Sequence, residues 1–398
     1  MRILVLGFIV RFPMAGMVAN SVQYLNGLTR LGHEVSYLEI GRDWDCCFNP
    51  ETGYSSKDPE YGMAFAKRLL EPFGLASQWA YYDMFDKVWL GPMSGHLIQT
   101  IKDAEMVINL CGSNDLQLGL EQVPLRLLIE QDPVFTQVKH LRDQAKRDNA
   151  TLHNRFYTYA CNWGMKGCSV PNDGIEWQPT VPPVVLADWP TCDDETAPWA
   201  GNYTTVMQWQ SYPPAQWEGV DYHSKDVSFP DYFDLPLQTK AGLEIALKGG
   251  DGPTREKLSA AGWILRDPLP ISKELPAFTQ YLSQSRGEFA LAKHGYVLSG
   301  SGWFSERSAC YLASGRPVVV QDTGFSKWLP TDSAIGAFTS PNQALAQLDR
   351  IESDYTRYRN EARQIASEYF DSDRVLESLL ESAISSQPVT TTDSHRDE

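Results

Sequence analysis

The chain has 398 residues, more than one hydrophobic core usually supports, and 42% of them are hydrophobic, so two domains with substantial cores are expected. The formal net charge is −16, which disfavours a nucleic-acid-binding protein, because such proteins present basic surfaces to phosphate backbones. The sequence has no apolar run long enough to span a membrane and starts with a strand-like segment rather than a signal peptide, so a cytoplasmic protein is expected.

The seven cysteines are scattered and odd in number, which favours reduced thiols over a disulfide framework. None belongs to a CxxC pair, and Cys161 and Cys168 lack a histidine at zinc spacing. The acidic run from Asp193 to Glu195 lies in a linker rather than at a strand end. We therefore expect no obligatory metal and no cofactor.

The N-terminal half begins with the pattern of an open parallel sheet. The apolar run 3–6 predicts a strand, a loop with glycine and proline follows, and a helix through Leu25 leads to a second strand at 35–40. Further buried strands are predicted at 106–110 and 127–129. Ligands bind beyond the carboxyl ends of such strands, so the loops that follow them are candidate functional segments.

Residues 160–203 are rich in glycine, proline, tryptophan and acidic residues, which predicts an irregular insert and the linker between two domains. The first domain is predicted to span 1–195 and a second α/β domain 204–384, since strand and helix patterns alternate again there. Its last helix is predicted over 349–382. The Ser/Thr/Asp-rich residues 385–398 are predicted to be disordered.

The most informative segment runs from Gly300 to Phe325. A loop of small residues precedes a helix that is predicted to begin after the N-cap Ser305 and to stop at Gly315. A strand at 318–320 then leads into the turn 322–324. Unpaired backbone N–H groups and the positive end of the helix dipole can hold a diphosphate without any lysine, so this segment predicts an anion site.

This segment is similar to the donor-binding segment of GT-B glycosyltransferases, in which a helix, a small residue with Gly-x-Pro-Val-Val, and a D-x-G turn follow one another. The chain also resembles a bacterial group of glycosyltransferase-like proteins marked by GWFSxRS…YLAxGRPVVVQDTGF, here 302–325, and by W-x-P-T-x-P-P-V-V-L, here 177–186. In familiar retaining GT-B families a glutamate that bonds the donor ribose stands where this chain has Cys310. Arg307 falls where related spore-coat-like transferases carry an arginine, and Glu306 supplies a carboxylate one turn before Cys310.

The resemblance implies two Rossmann-like domains whose parallel sheets face a central cleft, the GT-B fold. It also implies transfer of a sugar from a nucleoside diphosphate donor to a hydroxyl of a glycan, lipid or small molecule. Glu306 and Arg307 become candidate catalytic residues. The residues expected to line the donor are Ser301, Gly302, Trp303, Ser305, Asp322, Thr323 and Gly324.

Two lysines are candidates for the charge that develops on a leaving diphosphate. Lys293 follows the predicted strand 287–292, which leads toward the same cleft, and a cation there stabilises the leaving group. A solvated surface lysine is the alternative for this residue. Lys225 lies in the region where GT-B enzymes carry an arginine and a lysine after the first strand of the second domain, although that pair is not visible in the sequence.

Asp132 is the candidate catalytic base, because a carboxylate at the end of a buried strand can accept the proton of an acceptor hydroxyl. Alternatively, it caps the helix that starts after Pro133. On the acceptor side the candidates are Gly7 and Gly16, which bound the loop after the first strand, and Asn20. This loop does not match GxGxxG, which disfavours a dinucleotide site.

Two other functions remain open. A GT-B-type nucleotide-sugar epimerase uses the same donor site with acid and base groups and no acceptor pocket. A non-catalytic nucleotide-sugar-binding or scaffold protein is the other possibility, since Cys310 replaces the usual glutamate. A homodimer is compatible with either function.

Overall fold

A computed structural model describes residues 1–192 and 200–385. The acidic run from Asp193 to Glu195 and the predicted disordered tail beyond Ser385 lie outside these residues. Within the described ranges, no helix combines the length and the apolarity that crossing a membrane requires.

The first sheet contains eight strands. They are β1 (Arg2–Leu6), β2 (Glu34–Ile40), β5 (Trp79–Asp83), β6 (Val88–Leu90), β7 (Met106–Leu110), β8 (Leu125–Glu130), β9 (Arg155–Thr158) and β10 (Gln178–Pro179). Their spatial order is β10-β9-β8-β7-β1-β2-β5-β6, and all neighbours pair in parallel except β6, which runs antiparallel to β5. A separate hairpin consists of β3 (Cys47–Asn49) and β4 (Tyr54–Ser56). The order reverses between β1 and β7, which is where a crevice for a ligand opens in such a sheet.

The helices that accompany this sheet are α1 (Ala15–Arg30), α2 (Glu60–Leu70), α3 (Leu97–Asp103), α4 (Phe135–Arg142) and α5 (Gln144–Thr151). The last helix of the chain, α13 (Ser372–Ser385), also belongs here, because Leu376, Leu379 and Leu380 are buried in the core of this sheet. We call residues 1–179 together with α13 the first lobe.

The second sheet contains six strands, all parallel. They are β11 (Asn202–Gln208), β14 (Gly242–Lys248), β15 (Ile264–Arg266), β16 (Gly287–Ala290), β17 (Val318–Gln321) and β18 (Ile335–Phe338). Their order is β15-β14-β11-β16-β17-β18, so the reversal falls between β11 and β16. A small hairpin, β12 (Ala215–Trp217) and β13 (Val220–Tyr222), follows β11. Residues 202–370 are called the second lobe.

The helices of the second lobe are α6 (Gly252–Ala260), α7 (Pro268–Ser272), α8 (Leu275–Gln284), α9 (His294–Ser299), α10 (Glu306–Ala313), α11 (Pro341–Ser353) and α12 (Tyr355–Ile365). The prediction of one helix over 349–382 was wrong, because α11, α12 and α13 are separate. Asp354 adopts a non-helical conformation at φ −149°, and a π-helical turn at 366–370 precedes α13. These breaks let the chain cross back to the first lobe.

The two lobes touch along α1. A Cβ at Gly16 would lie 3.2 Å from the Ser272 hydroxyl, so α1 approaches the second lobe closely where it begins. Two exposed ion pairs also join the lobes, Arg68 with Glu274 at 3.1 Å and Lys273 with Glu51 at 3.0 Å. The carboxyl ends of both sheets are thereby held on either side of one cleft.

Candidate functional site

Helix α10 begins at the cleft as the sequence predicted. The Ser305 hydroxyl accepts the Arg307 amide at 3.2 Å and so caps the helix. Two glycines in the preceding loop, Gly300 at φ 58° and Gly302 at φ 76°, adopt the left-handed conformation that favours glycine. The loop therefore turns sharply and presents the amino end of α10 to the cleft.

Arg307 ties together the two strands between which the second sheet reverses. Its Nε donates to Glu288 Oε1 on β16 at 2.7 Å, and its Nη1 donates to the Val206 carbonyl of β11 at 2.9 Å. Glu288 is fully buried, and its Oε2 has no hydrogen-bond partner among the described residues. Arg307 thus neutralises a buried carboxylate at the point where a ligand crevice is expected.

Lys225 lies beside this pair. Burial lowers the pKa of Lys225 to about 7, and the positive charges of Arg307 and Lys293 lower it as well, although Glu288 raises it. A lysine in this position gains its proton most readily when an anion arrives. The point where the second sheet reverses, between β11 and β16, therefore gathers three basic side chains, of which Arg307 is paired with Glu288 and Lys293 with an aspartate of the first lobe.

Asp132 and Lys293 meet across the cleft. Lys293 Nζ donates to Asp132 Oδ1 at 2.9 Å, and the hydroxyls of Tyr212 and Tyr296 also donate to Asp132. The ammonium lies 4.4 Å from the ring centre of Tyr212, 5.1 Å from Phe135 and 5.2 Å from Tyr296. We call these five residues the bridging cluster, since Asp132 and Phe135 belong to the first lobe and the others to the second.

Trp303 makes a further contact between the lobes. Its Nε1 donates to the Gln131 carbonyl at 3.2 Å, and its ring lies 4.5 Å from that of Tyr296. The resemblance implies that Trp303 lines the donor, and in this structure its side chain spans the cleft.

Asp322 shapes the turn after β17. Its Oδ1 accepts the amides of Gly324 at 2.8 Å and Ser326 at 3.3 Å, and its own amide donates to the Phe338 carbonyl at 2.8 Å. The sequence assigned the amides of residues 322–324 to the donor, and two of these three are already used within the protein. Asp322 therefore acts on the conformation of the turn.

Asn162 connects the loop 300–302 with the turn 322–324, and the sequence did not point to it. Its Nδ2 donates to the carbonyls of Gly300 at 3.0 Å and Gly324 at 2.9 Å, and its backbone amide donates to the Ser301 carbonyl at 3.0 Å. A Cβ at Gly302 would lie 2.6 Å from Asn162 Cγ. Asn162 lies in the segment predicted as an irregular linker, where no local pattern marks it.

Thr323 joins the same loops directly. Its carbonyl accepts the Gly302 amide at 2.8 Å, and its hydroxyl donates to the Trp303 carbonyl at 2.5 Å. The predicted donor residues of both loops are thus brought together in one packed unit.

The loop after β1 is held by a buried network. The Gly7 carbonyl accepts Asn114 Nδ2 at 2.8 Å and Arg11 Nη2 at 3.3 Å. Glu39 accepts the amides of Val10 at 2.7 Å and Arg11 at 2.8 Å and pairs with Arg11 Nε at 3.0 Å. Glu39 was not predicted from sequence, because nothing in the pattern of β2 shows that this carboxylate points inward rather than toward solvent.

Gly16, Asn20, Glu306 and Cys310 line one small cavity of about 20 Å³ between the lobes, with room for a single water molecule. Asn20 Oδ1 is buried there without a hydrogen-bond partner among the described residues. Glu306 likewise makes no hydrogen bond to the described part of the chain through its carboxylate. Burial raises the pKa of Cys310 well above its usual value, so this thiol stays neutral and packs as an apolar wall.

Two residues at the carboxyl edge of the first sheet have strained backbones. Cys111 follows β7 at φ 57°, and Val134 follows β8 at φ 74°, a conformation that costs a β-branched residue most. The Cys111 thiol donates to Gln131 Oε1 at 2.8 Å. Such strain is concentrated at functional sites, and it flanks Asp132 here.

In residues 1–192 and 200–385, no group of three or more His, Cys, Asp and Glu side chains is placed to hold a metal ion. No protein-family model and no curated protein matches the sequence. Solved structures, in contrast, match nearly the whole chain.

An alpha-glucosyltransferase in complex with UDP and a 13-mer DNA containing a HMU base is 12% identical with a TM-score of 0.58, and the match covers 96% of this chain and 99% of that one. HepE from Anabaena, in complex with UDP and glucose, is 12% identical with a TM-score of 0.55, over 97% and 100% of the two chains. Sucrose-phosphate synthase from Thermosynechococcus elongatus is 12% identical with a TM-score of 0.52, over 95% and 97%. The chain has the GT-B fold.

The GT-B prediction is confirmed, and the fold explains why the site lies where it does. In a GT-B chain both sheets direct their carboxyl edges at one cleft. Where the first sheet reverses, between β1 and β7, the cleft is lined by the loop after β1 and by Cys111. Where the second sheet reverses, between β11 and β16, it is lined by Lys225, Arg307 and the start of α10. Cations and a helix amino end around one cleft can bind and neutralise a polyanion.

Proposed function

We propose that this protein transfers a sugar from a nucleoside diphosphate sugar to an acceptor hydroxyl. The observation that carries the proposal is the convergence of Lys225, Lys293 and Arg307 with the amino end of α10 at the switch point of the second sheet. Asp132 faces this group from the first lobe. A phosphate-binding wall and a carboxylate on opposite sides of a cleft are what glycosyl transfer requires.

The donor occupies the second lobe and the acceptor the first. The predicted domain 204–384 differs from the second lobe because it includes α13, which packs on the first lobe, and the predicted domain 1–195 lacks that helix. The diphosphate lies against Lys225 and the start of α10, and Trp303 covers the nucleotide once its bond to Gln131 opens. UDP is the first nucleotide to test, since two of the similar structures hold it. Residue 310 offers the ribose no carboxylate, because it is a cysteine, and burial keeps its thiol neutral.

In the transfer step the acceptor oxygen forms a bond to the anomeric carbon of the donor. The bond from that carbon to the phosphate oxygen breaks, and its electron pair stays on the departing diphosphate. The acceptor proton passes to Asp132. Lys293 and Lys225 stabilise the new negative charge, so positive charge at the leaving group comes from the protein rather than from a metal ion. Glu306, on the cleft face of α10, contacts hydroxyls of the sugar.

The acceptor is a glycan, lipid or small molecule. The alpha-glucosyltransferase with a similar fold was captured with DNA. This chain carries a net charge of −16, so a DNA duplex would approach against electrostatic repulsion.

A thermal-shift and calorimetric screen against UDP-, GDP-, ADP-, CMP- and dTDP-sugars tests the donor site. The site variant is Lys225→Met, which removes the charge but keeps the length of the side chain. Lys240→Met is the matched control, because Lys240 is exposed and precedes β14 at the opposite edge of the sheet. Arg307 is unsuitable, since its removal would leave Glu288 buried and unpaired.

The proposal predicts stabilisation by one nucleotide class that Lys225→Met loses and Lys240→Met keeps. The donor assignment is wrong if none of the five classes stabilises the wild-type protein. Product analysis then separates the remaining functions. Conversion of the donor to its epimer without an acceptor identifies an epimerase, and tight binding without turnover identifies a binding protein.

A further inference from the structure

The bridging cluster closes the cleft at the point where the proposed reaction takes place. Lys293 Nζ and Asp132 Oδ1 are 2.9 Å apart, and their side chains are only 17% and 30% exposed. The Tyr212 and Tyr296 hydroxyls donate to the same carboxylate. Asp132 therefore has three donors directed at it and is not available to take a proton from an acceptor.

The rings around Lys293 form a box with walls from both lobes. Phe135 of the first lobe lies 4.9 Å from the ring of Tyr212 and 5.8 Å from that of Tyr296, centre to centre. The Lys293 ammonium lies within 5.2 Å of all three ring centres. A cation in such a box is held by the ring faces as well as by its carboxylate partner. The cluster thus fixes Lys293 and joins the lobes at once.

Two anions compete for Lys293, which also donates to the Tyr212 hydroxyl. In the closed cleft its charge is matched by Asp132, whereas during transfer the same charge is needed at the departing diphosphate. One ammonium cannot fully serve both. A diphosphate carries more negative charge than a carboxylate and has additional partners in Lys225 and the start of α10, so it wins the exchange.

We propose that the bridging cluster is an anion-exchange latch, in which Asp132 occupies Lys293 until a donor diphosphate displaces it and frees Asp132 to act as the base. This inference rests on the proposed function. It assigns Tyr212 and Tyr296 as positioning residues that hold Asp132 in the resting protein. It also fixes the order of binding, with the donor first and the acceptor second, because the base stays occupied until the donor has bound.

The latch lowers the apparent affinity for the donor, because binding occurs only from the fraction of molecules in which Lys293 is released. Asp132→Asn removes the competing charge and keeps the shape of the side chain. We expect this variant to bind a diphosphate roughly tenfold more tightly than the wild-type protein, although it loses transfer. Lys293→Met removes the ammonium that contacts the diphosphate, so we expect this variant to bind the diphosphate more weakly.

The experiment measures the dissociation constants of UDP and of inorganic pyrophosphate by calorimetry. It compares the wild-type protein with Asp132→Asn, Lys293→Met and Tyr212→Phe. Tyr212→Phe removes one of the three donors to Asp132 while keeping the ring, so a smaller tightening is expected, and it serves if Asp132→Asn does not fold. Glu274→Gln is the control, because it breaks another ion pair between the lobes, outside the cluster.

Opposite effects on affinity support the latch, with tighter binding by Asp132→Asn, weaker binding by Lys293→Met and no change in Glu274→Gln. A purely structural pair predicts changes of the same sign in both cluster variants, and this result overturns the latch. Unchanged affinity in Asp132→Asn overturns it as well, while the donor site stands. If neither probe binds the wild-type protein or any variant, the proposed function is wrong and the latch is wrong with it.

Discussion

Lys225 makes the affinity for a nucleotide sugar depend on pH. Its pKa is lowered to about 7 by burial and by the charges of Arg307 and Lys293, and an ordinary lysine titrates near 10.5. A bound diphosphate restores the proton, so above pH 7 binding takes up a proton from solution. Below pH 7 the lysine is already charged, and the affinity no longer changes with pH.

The size of the effect follows from the fraction of charged lysine. This fraction falls roughly tenfold between pH 6 and pH 8 for a group with a pKa near 7, so the dissociation constant rises about tenfold. Calorimetry with UDP-glucose measures it directly. A nucleotide sugar is preferable to a free nucleotide, because a terminal phosphate itself titrates near pH 6.

The matched variant is Lys225→Met, which binds more weakly at pH 6 and should lose this slope. The pKa of the nearby His294 is lowered by burial, and any slope that remains in the variant belongs to groups other than Lys225. A wild-type affinity that does not change between pH 6 and pH 8 refutes the reasoning. An equal slope in both proteins refutes it too.

Three further predictions concern the packing around the site. Gly302→Ala should lower the free energy of unfolding by about 3 kcal/mol, because the new Cβ clashes with Asn162 and the backbone is left-handed. In an Asn162→Gly background the clash is gone, so the same substitution should cost only about 1 kcal/mol. Additive effects of the two substitutions in chemical denaturation would show that Gly302 and Asn162 do not pack against each other. Glu130 is buried and its pKa is raised to about 7 by burial, so its contribution to stability is largest at acidic pH and is lost as pH rises toward 7. The wild-type protein should therefore lose about 2 kcal/mol relative to Glu130→Gln between pH 5 and pH 7.5, and parallel urea-unfolding profiles would exclude this. Leu376→Ala should lower the free energy of unfolding by about 3 kcal/mol, because this fully buried side chain anchors the last helix on the first lobe. A melting temperature within one degree of wild type would show that this contact does not stabilise the fold.

The sequence predicts best those helices and strands whose ends are marked by residues close to one another in the chain. The start of α10 is one, since an N-cap serine and a stop at Gly315 mark both ends of a helix. The strand Met106–Leu110 is another, because a short apolar run between turns has few alternatives. The alternation of such elements predicted an open parallel sheet in the N-terminal half and a second α/β domain after it, and the resemblance implied that both are Rossmann-like.

The pairing of Asp132 with Lys293 could not be predicted in this way. The two residues are 161 positions apart and belong to different lobes, so their contact depends on how the lobes are placed. The sequence supplied both residues as separate candidates. It gave no reason to expect that each would be the partner of the other.

Asn162 and the last helix show a second limit. Asn162 acts through two carbonyls on distant loops, and neither its neighbours nor its spacing reveals this. The helix α13 has the apolar pattern of any amphipathic helix. This pattern predicts that one face of the helix is buried, but it does not indicate which lobe covers that face. In both cases the deciding contact is tertiary.

The most direct test of the central claim is a crystal structure of the protein with the nucleotide sugar that stabilises it most. In this complex we expect oxygens of the diphosphate within hydrogen-bonding distance of Lys225 Nζ and of backbone amides at the start of α10, with Lys293 moved from Asp132 toward the phosphate. A nucleotide bound elsewhere, for example at the first lobe, would show that the donor site at the start of α10 is wrong.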